Sequence, residues 1–199
     1  MSSRERWTVH LADPRGDLRL YEPDAAQVKA VAAQLCEYYN EPFNSAMMTN
    51  SGEMTPDEVL EHFDAIAEDG GRAFLLEFGG ALVGDGDFRH FRDGLAEYAL
   101  MIGNRSLQGM GLGTRFGGMA HALLFRCLGA RRAVGVVVPT NRGSIRMLEK
   151  LGYEMDNSPE VRSYVEDERE LTMSLERERF EELHTEFLSP LVFSRETGT

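Results

Sequence analysis

A strand that runs into a glycine-rich turn at the start of a helix constrains the fold of this chain more than any other feature. Residues 95–103 have the pattern of a strand, and Gln108-Gly-Met-Gly-Leu-Gly113 follows and opens a helix that extends to about Leu128. Three alternating glycines remove the side chains that would keep a ligand away from the backbone. Since the first N–H groups of a helix lack intrahelical partners, the turn predicts a site for a phosphate-bearing anion.

The residues around this turn argue against two other kinds of phosphate-binding loop. Position 114 is Thr rather than the last glycine of a dinucleotide-binding fingerprint, and no Lys-Ser or Lys-Thr follows the glycines as in a Walker loop. On these residues alone, a tight turn that only allows close packing is an equal alternative.

A second strand and helix follow about thirty residues later. Residues 133–138 form the short apolar run of a strand that is covered on both faces. Asn141 is suited to cap a helix over residues 142–151, and Gly152 is suited to end it. The string from 141 to 153 reads Asn-Arg-Gly-Ser-Ile-Arg-Met-Leu-Glu-Lys-Leu-Gly-Tyr.

Hydrophobic periodicity predicts the remaining elements. We expect a loop over 41–54, helices over 23–39, 55–69 and 176–188, and strands over 17–21, 73–78, 82–91, 153–156 and 170–175. The order β-α-α-β-β-β-α-β-α-β-β predicts a mixed α/β fold with a central sheet of about seven strands flanked by helices. We expect an irregular N-terminal segment over 1–16, a domain over 17–175 and a helical extension over 176–199.

Charge is unevenly distributed along the chain. The net charge of −12 argues against a general nucleic-acid binder. Residues 98–150 nevertheless contain eight basic side chains and a single acid, Glu149. This segment contains the glycine-rich turn, so it predicts local attraction for phosphates. Chance clustering on solvated helix faces is the alternative.

Cysteine and histidine usage predicts no metal. Cys36 and Cys127 lie far apart, and the five histidines show no ligand spacing. Unpaired cysteines indicate a reducing, cytoplasmic location. The first seven residues lack the apolar run of a signal peptide, and the apolar stretches are too short to cross a bilayer, so we expect no membrane association.

Together, the glycine-rich turn and the 141–153 string resemble the GCN5-related N-acetyltransferase (GNAT) superfamily across about residues 17–175. The turn matches its Gln/Arg-x-x-Gly-x-Gly loop, and the string matches its Asn-x-x-Ser/Ala…Leu-Gly-Tyr/Phe segment. The string is most similar to the ribosomal-protein Nα-acetyltransferase-like members. The resemblance implies the fold of that superfamily, acetyl-CoA as cosubstrate and acetyl transfer to a primary amine.

The resemblance also implies which residues hold acetyl-CoA. The backbone of Met101, Ile102 and Gly103 would pair with the pantetheine arm like an added strand. Asn141 would meet the cosubstrate near its thioester end, which is compatible with a helix-capping role. The pyrophosphate is expected at the glycine-rich turn and the start of its helix, on Gln108, Gly109, Met110, Gly111, Leu112, Gly113 and Thr114.

Acetyl transfer needs a base for the acceptor ammonium and a proton donor for the leaving thiolate. Glu97 is the expected base because it lies on the strand that leads to the cosubstrate, where apolar neighbours such as Ala99 and Met101 would raise its pKa. The alternative is a Glu97 that faces solvent or forms an ion pair with Arg89 or Arg92.

Two positions depart from the family pattern. Many members carry Tyr as the general acid seven residues after the Asn, where this chain has Leu148. Many protein N-terminal acetyltransferases carry Glu five residues before the Asn, where this chain has Val136. Tyr98 or a water is left as the proton donor. The departures support an alternative function, a non-catalytic acyl-CoA-binding or regulatory domain.

The acceptor is expected to be an amine, and an acidic groove would favour a cationic one such as a polyamine, an aminoglycoside-like amine or a peptide N-terminus. A generally acidic surface is the favoured alternative. A nucleic-acid-modifying toxin of the same fold is disfavoured by the acidic charge. His90 is a candidate to reach the acceptor, and the C-terminal helix could pack on its own domain or on a second subunit as a homodimer. The acids expected on the acceptor side are Glu53, Asp57, Glu58, Glu61, Asp64, Asp85 and Asp87.

Overall fold

One twisted sheet organises the chain. Residues 5–48 and 52–196, which this computed structural model describes, contain nine strands in a single sheet of order β7-β8-β6-β5-β4-β3-β2-β1-β9. The strands are β1 (Arg6–Leu11), β2 (Leu18–Tyr21), β3 (Arg72–Phe78), β4 (Ala81–Arg92), β5 (Leu95–Ile102), β6 (Arg132–Val137), β7 (Glu154–Met155), β8 (Leu171–Glu176) and β9 (Val192–Glu196).

Helices cover both faces of the sheet. They are α1 (Ala25–Asn40), α2 (Pro42–Met48), α3 (Pro56–Glu68), α4 (Leu112–Arg126), α5 (Arg142–Leu151), α6 (Pro159–Arg162), α7 (Arg177–Leu183) and α8 (Thr185–Leu188). On one face, α4 is buried against Phe74, Phe88 and Tyr98. On the other, α1 and α3 pack over Leu75 and Leu82. In the described residues no helix is long and apolar enough to cross a membrane.

Local sequence explains where the helices beside the site begin and end. Asp24 and Thr55 form capping boxes with Gln27 and Glu58, so α1 and α3 begin where their first N–H groups find side-chain acceptors. The helix α5 ends at Gly152, whose φ of 102° lies in the left-handed region that glycine adopts readily.

The pairing of β5 with β6 is short. These strands are the parallel pair of the sheet, and their register covers only Leu95–Arg132, Ala96–Ala133 and Glu97–Val134. On its other side β6 pairs with β8 along its whole length, and β5 pairs with β4 as far as Ile102. The two strands therefore diverge beyond Glu97, and we call the resulting gap the fork.

The mixed α/β fold predicted from the sequence is confirmed, with two strands added at the outer edge. The strand β1 lies in the segment 1–16, where we expected irregular structure, and it pairs with β2 and β9. The expected helix over 176–188 is two short helices, α7 and α8, and is followed by β9. Residues 1–4 and 197–199 of these two segments lie outside the described part of the chain.

The predicted loop over 41–54 also differs. Residues 42–48 form α2, which places Asn44 and Met47 beside the fork, and residues 49–51 lie outside the described residues. The loop was expected because polar and methionine residues without clear periodicity fill this stretch. The helix instead begins at Pro42, since proline is favoured in the first turn of a helix.

Candidate active site

A cleft of about 490 Å³ opens at the fork. Its floor comes from β4 and β5, one wall from β6 and α5, and the other from α1, α2 and α3. The cleft thus combines the diverging strand edges with side chains from the 141–153 motif, among them Asn141, Ser144 and Met147. The methionines among its lining residues are Met47, Met48, Met54, Met101 and Met147.

The backbone of β5 offers hydrogen-bonding groups to the fork. Gly103 donates its N–H to the Val83 carbonyl at 2.8 Å and so faces β4. Successive residues of a strand turn their N–H and C=O groups to opposite sides, so Leu100 and Ile102 face the fork while Met101 faces β4. Of the backbone triplet expected to pair with pantetheine, only Ile102 faces the fork. Leu100 was missed because register cannot be derived from the strand pattern alone.

The glycine turn, residues 108–113, has the open geometry that the sequence predicts. Gly109 and Gly111 adopt φ values of 78° and 83°, and a Cβ built on either would meet no atom within 4 Å. Gly111 caps α4 without any side-chain hydrogen bond to the first turn of the helix. Gly113 is different, because its φ is not positive and its Cβ would make ordinary contact with Met147 Sδ at 3.5 Å. The first N–H groups of α4, those of Leu112 to Thr114, are therefore uncapped by side chains.

A buried asparagine anchors the glycine turn. Asn44, 3% exposed, donates Nδ2 to the carbonyls of Tyr38 and Gly103, both at 2.9 Å. Its Oδ1 accepts from Gln108 Nε2 at 2.9 Å, and the same Nε2 donates to the Ile102 carbonyl at 2.6 Å. Gln108 therefore acts on the turn through its side chain, holding it against the end of β5. The polar run around Asn44 carries no sequence signal for this role.

The basic segment is partly neutralised by tertiary ion pairs. Arg131 and Arg132 pair with Glu160, at 2.8 and 3.4 Å, and Arg115 pairs with the buried Asp13. These charges therefore hold the fold together, which the count along the sequence does not show. Three basic residues of α5 form no ion pair in the part of the chain that the structure describes: Arg142, Arg146 and Lys150.

Asn141 caps α5 and also lines the cleft. Its Oδ1 accepts from the Ser144 N–H at 3.0 Å, and its Nδ2 donates to the Met47 carbonyl at 3.4 Å. Both expectations for Asn141, helix cap and cleft residue, are thus compatible in one geometry.

Glu97 lies in the cleft among charged neighbours. The carboxylate is 9% exposed at the residue level, and its Oε2 is 2.9 Å from His90 Nδ1 and 3.7 Å from Arg89 Nε. The apolar surroundings expected for Glu97 are therefore wrong, and the alternative of an ion pair with Arg89 is the arrangement found. The pairing across β4 and β5 explains this, because Arg89 lies directly opposite Glu97.

Two buried carboxylates lie deeper in the cleft. Asp85 and Asp87 are 7% and 6% exposed, and the Oδ1 atom of each has no hydrogen-bond partner among the described residues. Burial raises the pKa of Asp85 to about 7 and that of Asp87 to about 6. Tyr39 donates its hydroxyl to Asp85 Oδ2, and Arg89 Nε lies 3.4 Å from Asp87 Oδ1.

The charges of the cleft floor do not balance. One guanidinium, Arg89, is shared between the carboxylates of Asp87 and Glu97, and Asp85 has only a neutral phenol. Asp85 and Asp87 were among the seven acids expected on the acceptor side and were not singled out there. A sharper signal was present, because aspartate is rare inside strands and here it alternates with Gly84 and Gly86 in the middle of β4.

Tyr98 points away from the cleft floor. Its ring packs on His121 with ring centroids 4.5 Å apart, under α4, and its hydroxyl is buried with no hydrogen-bond partner in the described residues. Burial holds its pKa well above the ordinary value. Neighbouring side chains of a strand point to opposite faces, so Tyr98 and Glu97 do not come together.

Leu148 and Val136, which replace polar residues of the family pattern, both line the cleft. Leu148 is 3% exposed, and a Cβ on Gly135 would lie 3.0 Å from its side chain, so it is closely packed against β6. Tyr39 and Tyr164 also line the cleft, and their hydroxyls donate to Asp85 Oδ2 and to the His90 carbonyl. Within the described ranges no group of three or more His, Cys, Asp or Glu is arranged to hold a metal.

Comparison with protein families matches residues 17–154 to the family described as "Acetyltransferase (GNAT) domain". This match covers more than half of the chain, so the chain belongs to the GNAT acetyltransferase family. A comparison with curated proteins finds no match.

Solved structures of this family share the fold. Aminoglycoside acetyltransferase AAC(6')-Ib, crystallised with coenzyme A, is 19% identical with a TM-score of 0.68, over 83% of this chain and 98% of that one. RimJ from Mycobacterium smegmatis, with CoA-disulfide, is 20% identical with a TM-score of 0.67, over 86% and 88%. Spermidine N-acetyltransferase from Vibrio cholerae, with CoA and spermine, is 16% identical with a TM-score of 0.66, over 82% and 97%. These similarities confirm the GNAT fold.

Proposed function

We propose that this chain is an acetyl-CoA-dependent N-acetyltransferase that acts on a primary amine of a cationic acceptor. The observation that carries the proposal is the cleft at the fork, which has three carboxylates on its floor and lies next to an uncapped glycine turn, where Gly113 faces Met147 of the cleft wall. The chain belongs to a family of acetyltransferases, and its site offers groups suited to the cosubstrate and groups suited to the acceptor. Both observations support this function.

The fork and the glycine turn are suited to acetyl-CoA. The backbone groups of Leu100 and the N–H of Ile102 would pair with the amides of the pantetheine arm, which is as slender as an extended chain; the Ile102 carbonyl already accepts from Gln108. The N–H groups at the start of α4 would receive the pyrophosphate, where the helix dipole and the open space at Gly109 and Gly111 favour an anion. AAC(6')-Ib, RimJ and the spermidine acetyltransferase were crystallised with CoA or CoA-disulfide, which supports this cosubstrate.

The carboxylates of the cleft floor are suited to an ammonium. An ammonium brings a positive charge and three N–H donors, and the Oδ1 atoms of Asp85 and Asp87 have no hydrogen-bond donor among the described residues. Such an acceptor would balance the excess of negative charge around Arg89. Two of the similar proteins have cationic amines as their ligands: AAC(6')-Ib is an aminoglycoside acetyltransferase, and the spermidine N-acetyltransferase was crystallised with spermine.

In the reaction, Glu97 removes a proton from the acceptor ammonium, and the free amine attacks the thioester carbonyl carbon. The C–N bond forms, the nitrogen gives its second proton to a cleft water, the C–S bond breaks, and the CoA thiolate leaves with the electron pair of that bond. That water passes the proton to the thiolate, because the Tyr98 hydroxyl lies under α4 and Leu148 has no hydroxyl. The hydroxyls of Tyr39 and Tyr164 already donate to Asp85 and to the His90 carbonyl. The acetylated amine carries no charge and so no longer complements Asp85 and Asp87.

Thermal unfolding with acetyl-CoA tests the binding half of the proposal. A ligand present at 100 times its Kd stabilises by about 2.7 kcal/mol, which for a chain of this size raises Tm by roughly 5–10 °C. No shift at saturating acetyl-CoA would contradict the assignment of the cosubstrate.

Release of free thiol in the presence of spermidine, an aminoglycoside or a peptide N-terminus tests the transfer half. We expect E97Q to lower kcat while its Tm shift with acetyl-CoA is unchanged, and E149Q, on the exposed face of α5, to behave as the wild type. An unchanged kcat in E97Q would place the base elsewhere.

A second candidate function is a non-catalytic acyl-CoA-binding domain. The observation in its favour is Leu148, which closes the cleft wall with an apolar side chain where many family members carry a tyrosine. A clear Tm shift with acetyl-CoA and no thiol release with any of these amines would favour this function over catalysis.

A further inference from the structure

A β-bulge beside the cleft aims an unusual side chain at Glu97. In the pairing of β4 with β5, Arg89 lies opposite Glu97 and Arg92 lies opposite Leu95, so two residues of β4 face a single residue of β5. His90 is the first of the two and has a φ of 52°. Glycine is the usual residue in a bulge of this type, because other side chains are strained in the left-handed region.

The bulge changes the face to which His90 belongs. Asp85, Asp87 and Arg89 point into the cleft, so strict alternation would send the next side chain to the opposite face. Through the bulge, His90 instead joins Arg89 on the cleft face, and both side chains contact the same carboxylate. A strained, glycine-preferring position therefore carries an imidazole that reaches a buried acid. Bulges next to active sites commonly re-aim a side chain in this way.

Only one oxygen of the Glu97 carboxylate is contacted by its charged neighbours. His90 Nδ1 at 2.9 Å and Arg89 Nε at 3.7 Å both approach Oε2, and Oε1 has no hydrogen-bond partner among the described residues. On its outer side, His90 Nε2 lies 3.8 Å from Asp69 Oδ2 at the end of α3. That distance is longer than a hydrogen bond, whereas Nδ1 is within hydrogen-bond distance of Glu97. Because an ionised carboxylate can only accept, the tautomer that bonds to Glu97 is the one with the proton on Nδ1.

We propose that His90 is a positioning residue for acetyl transfer, which fixes Glu97 Oε2 and leaves Oε1 as the oxygen that receives the acceptor's proton. The inference rests on the proposed function. Without the hydrogen bond from His90, the Glu97 carboxylate would rotate toward Arg89 and form a two-oxygen ion pair with its guanidinium. That pair would occupy Oε1 and slow proton removal, with little effect on how acetyl-CoA binds.

Two substitutions at position 90 separate the imidazole from the backbone. H90G removes the hydrogen bond and also the left-handed strain, so its Tm should stay close to that of the wild type. H90N keeps an N–H donor close to the place of Nδ1, and asparagine tolerates the left-handed region better than most residues. We expect kcat for acetyl transfer to fall about tenfold or more in H90G, as for loss of a hydrogen bond to a charged group, and to recover most of that loss in H90N.

Asp93 provides the matched control. It lies in the turn between β4 and β5, and its φ of 50° gives it the same kind of backbone as His90. Its side chain is exposed and makes no hydrogen bond with Glu97 in the described residues. D93G should therefore keep the wild-type kcat. In H90G, the KM for acetyl-CoA and the Tm shift with acetyl-CoA should remain those of the wild type.

Three results would overturn the inference. The first is a wild-type kcat in H90G. The second is a loss of kcat in D93G equal to that in H90G, which would assign the effect to the hairpin. The third is a loss in H90N as large as in H90G. Failure of the proposed function looks different, because the wild type itself would then release no thiol with any amine.

Discussion

Replacing Asp85 with asparagine is expected to stabilise the protein at alkaline pH. Burial raises the pKa of Asp85 to about 7 in the folded chain, against an ordinary value of 3.8. A raised pKa means that the folded chain holds the proton more tightly than the unfolded chain. The stabilisation is complete below pH 3.8 and is lost as the pH rises through 7.

The size of this effect follows from the two pKa values. Between pH 5 and pH 8, ionisation of Asp85 should lower the free energy of unfolding of the wild type by about 3 kcal/mol, and D85N should lack this loss. The amide introduced by D85N would keep an oxygen to accept the Tyr39 hydroxyl, so the packing changes little. The same substitution removes a carboxylate that we assign to the acceptor, so the KM for the amine should rise.

Urea unfolding at pH 5 and pH 8 measures the difference directly. The unfolding free energy of D85N, minus that of the wild type, should be about 3 kcal/mol larger at pH 8 than at pH 5. D64N removes an equal charge from the exposed face of α3 and should follow the wild type at both values. Parallel pH curves for D85N and the wild type would refute the view that Asp85 is a buried, uncompensated carboxylate.

Three further predictions concern the glycine turn and the core. G111A should lower the free energy of unfolding by about 1 kcal/mol and raise the Kd for acetyl-CoA, because the φ of 83° at Gly111 strains any residue with a Cβ. G113A, at a position where φ is not positive, should not lose stability. Denaturant unfolding measures the stability, and calorimetry measures the Kd. N44A should cost about 3 kcal/mol and also weaken acetyl-CoA binding, since buried partners of Asn44 lose their hydrogen bonds. Burial lowers the pKa of His121 from 6.5 to about 4, so its stabilisation is present above pH 6.5 and lost as the pH falls. Between pH 7 and pH 4, the wild type should therefore lose about 3 kcal/mol more than H121Q on denaturant unfolding, and equal losses would contradict this.

The parts of the candidate site that depend on backbone conformation could be predicted from the sequence. Helix α5 spans the predicted residues, and the glycine turn has the open, uncapped geometry that its three glycines indicate. Glycine, proline and helix-capping residues act through local conformation, so their consequences follow from a short stretch of chain. The family resemblance, which depends on these same motifs, is confirmed.

The sequence left the side-chain partners across the sheet open, with an Arg89 ion pair only as the alternative for Glu97. Glu97 was expected among apolar residues, but the register places Arg89 opposite it, and a bulge brings in His90. Asp85 and Asp87 carry the buried charge that we expected of Glu97 alone. Register and bulges depend on pairing between distant segments, so a single strand pattern does not reveal them.

The fork offers a binding surface and also limits the thickness of what can enter it. Bare N–H and C=O groups on a strand edge attract any chain able to pair with them, and an outer edge therefore invites aggregation. Here the bare edge of β5 lies inside the sheet, and β6 stands on its other side. Neighbouring strands are only about 4.8 Å apart, so a gap that opens from such a pair admits a partner about as thin as a single extended chain. The short parallel register thus sets a thickness limit on what can reach Leu100, and a folded protein edge is kept out.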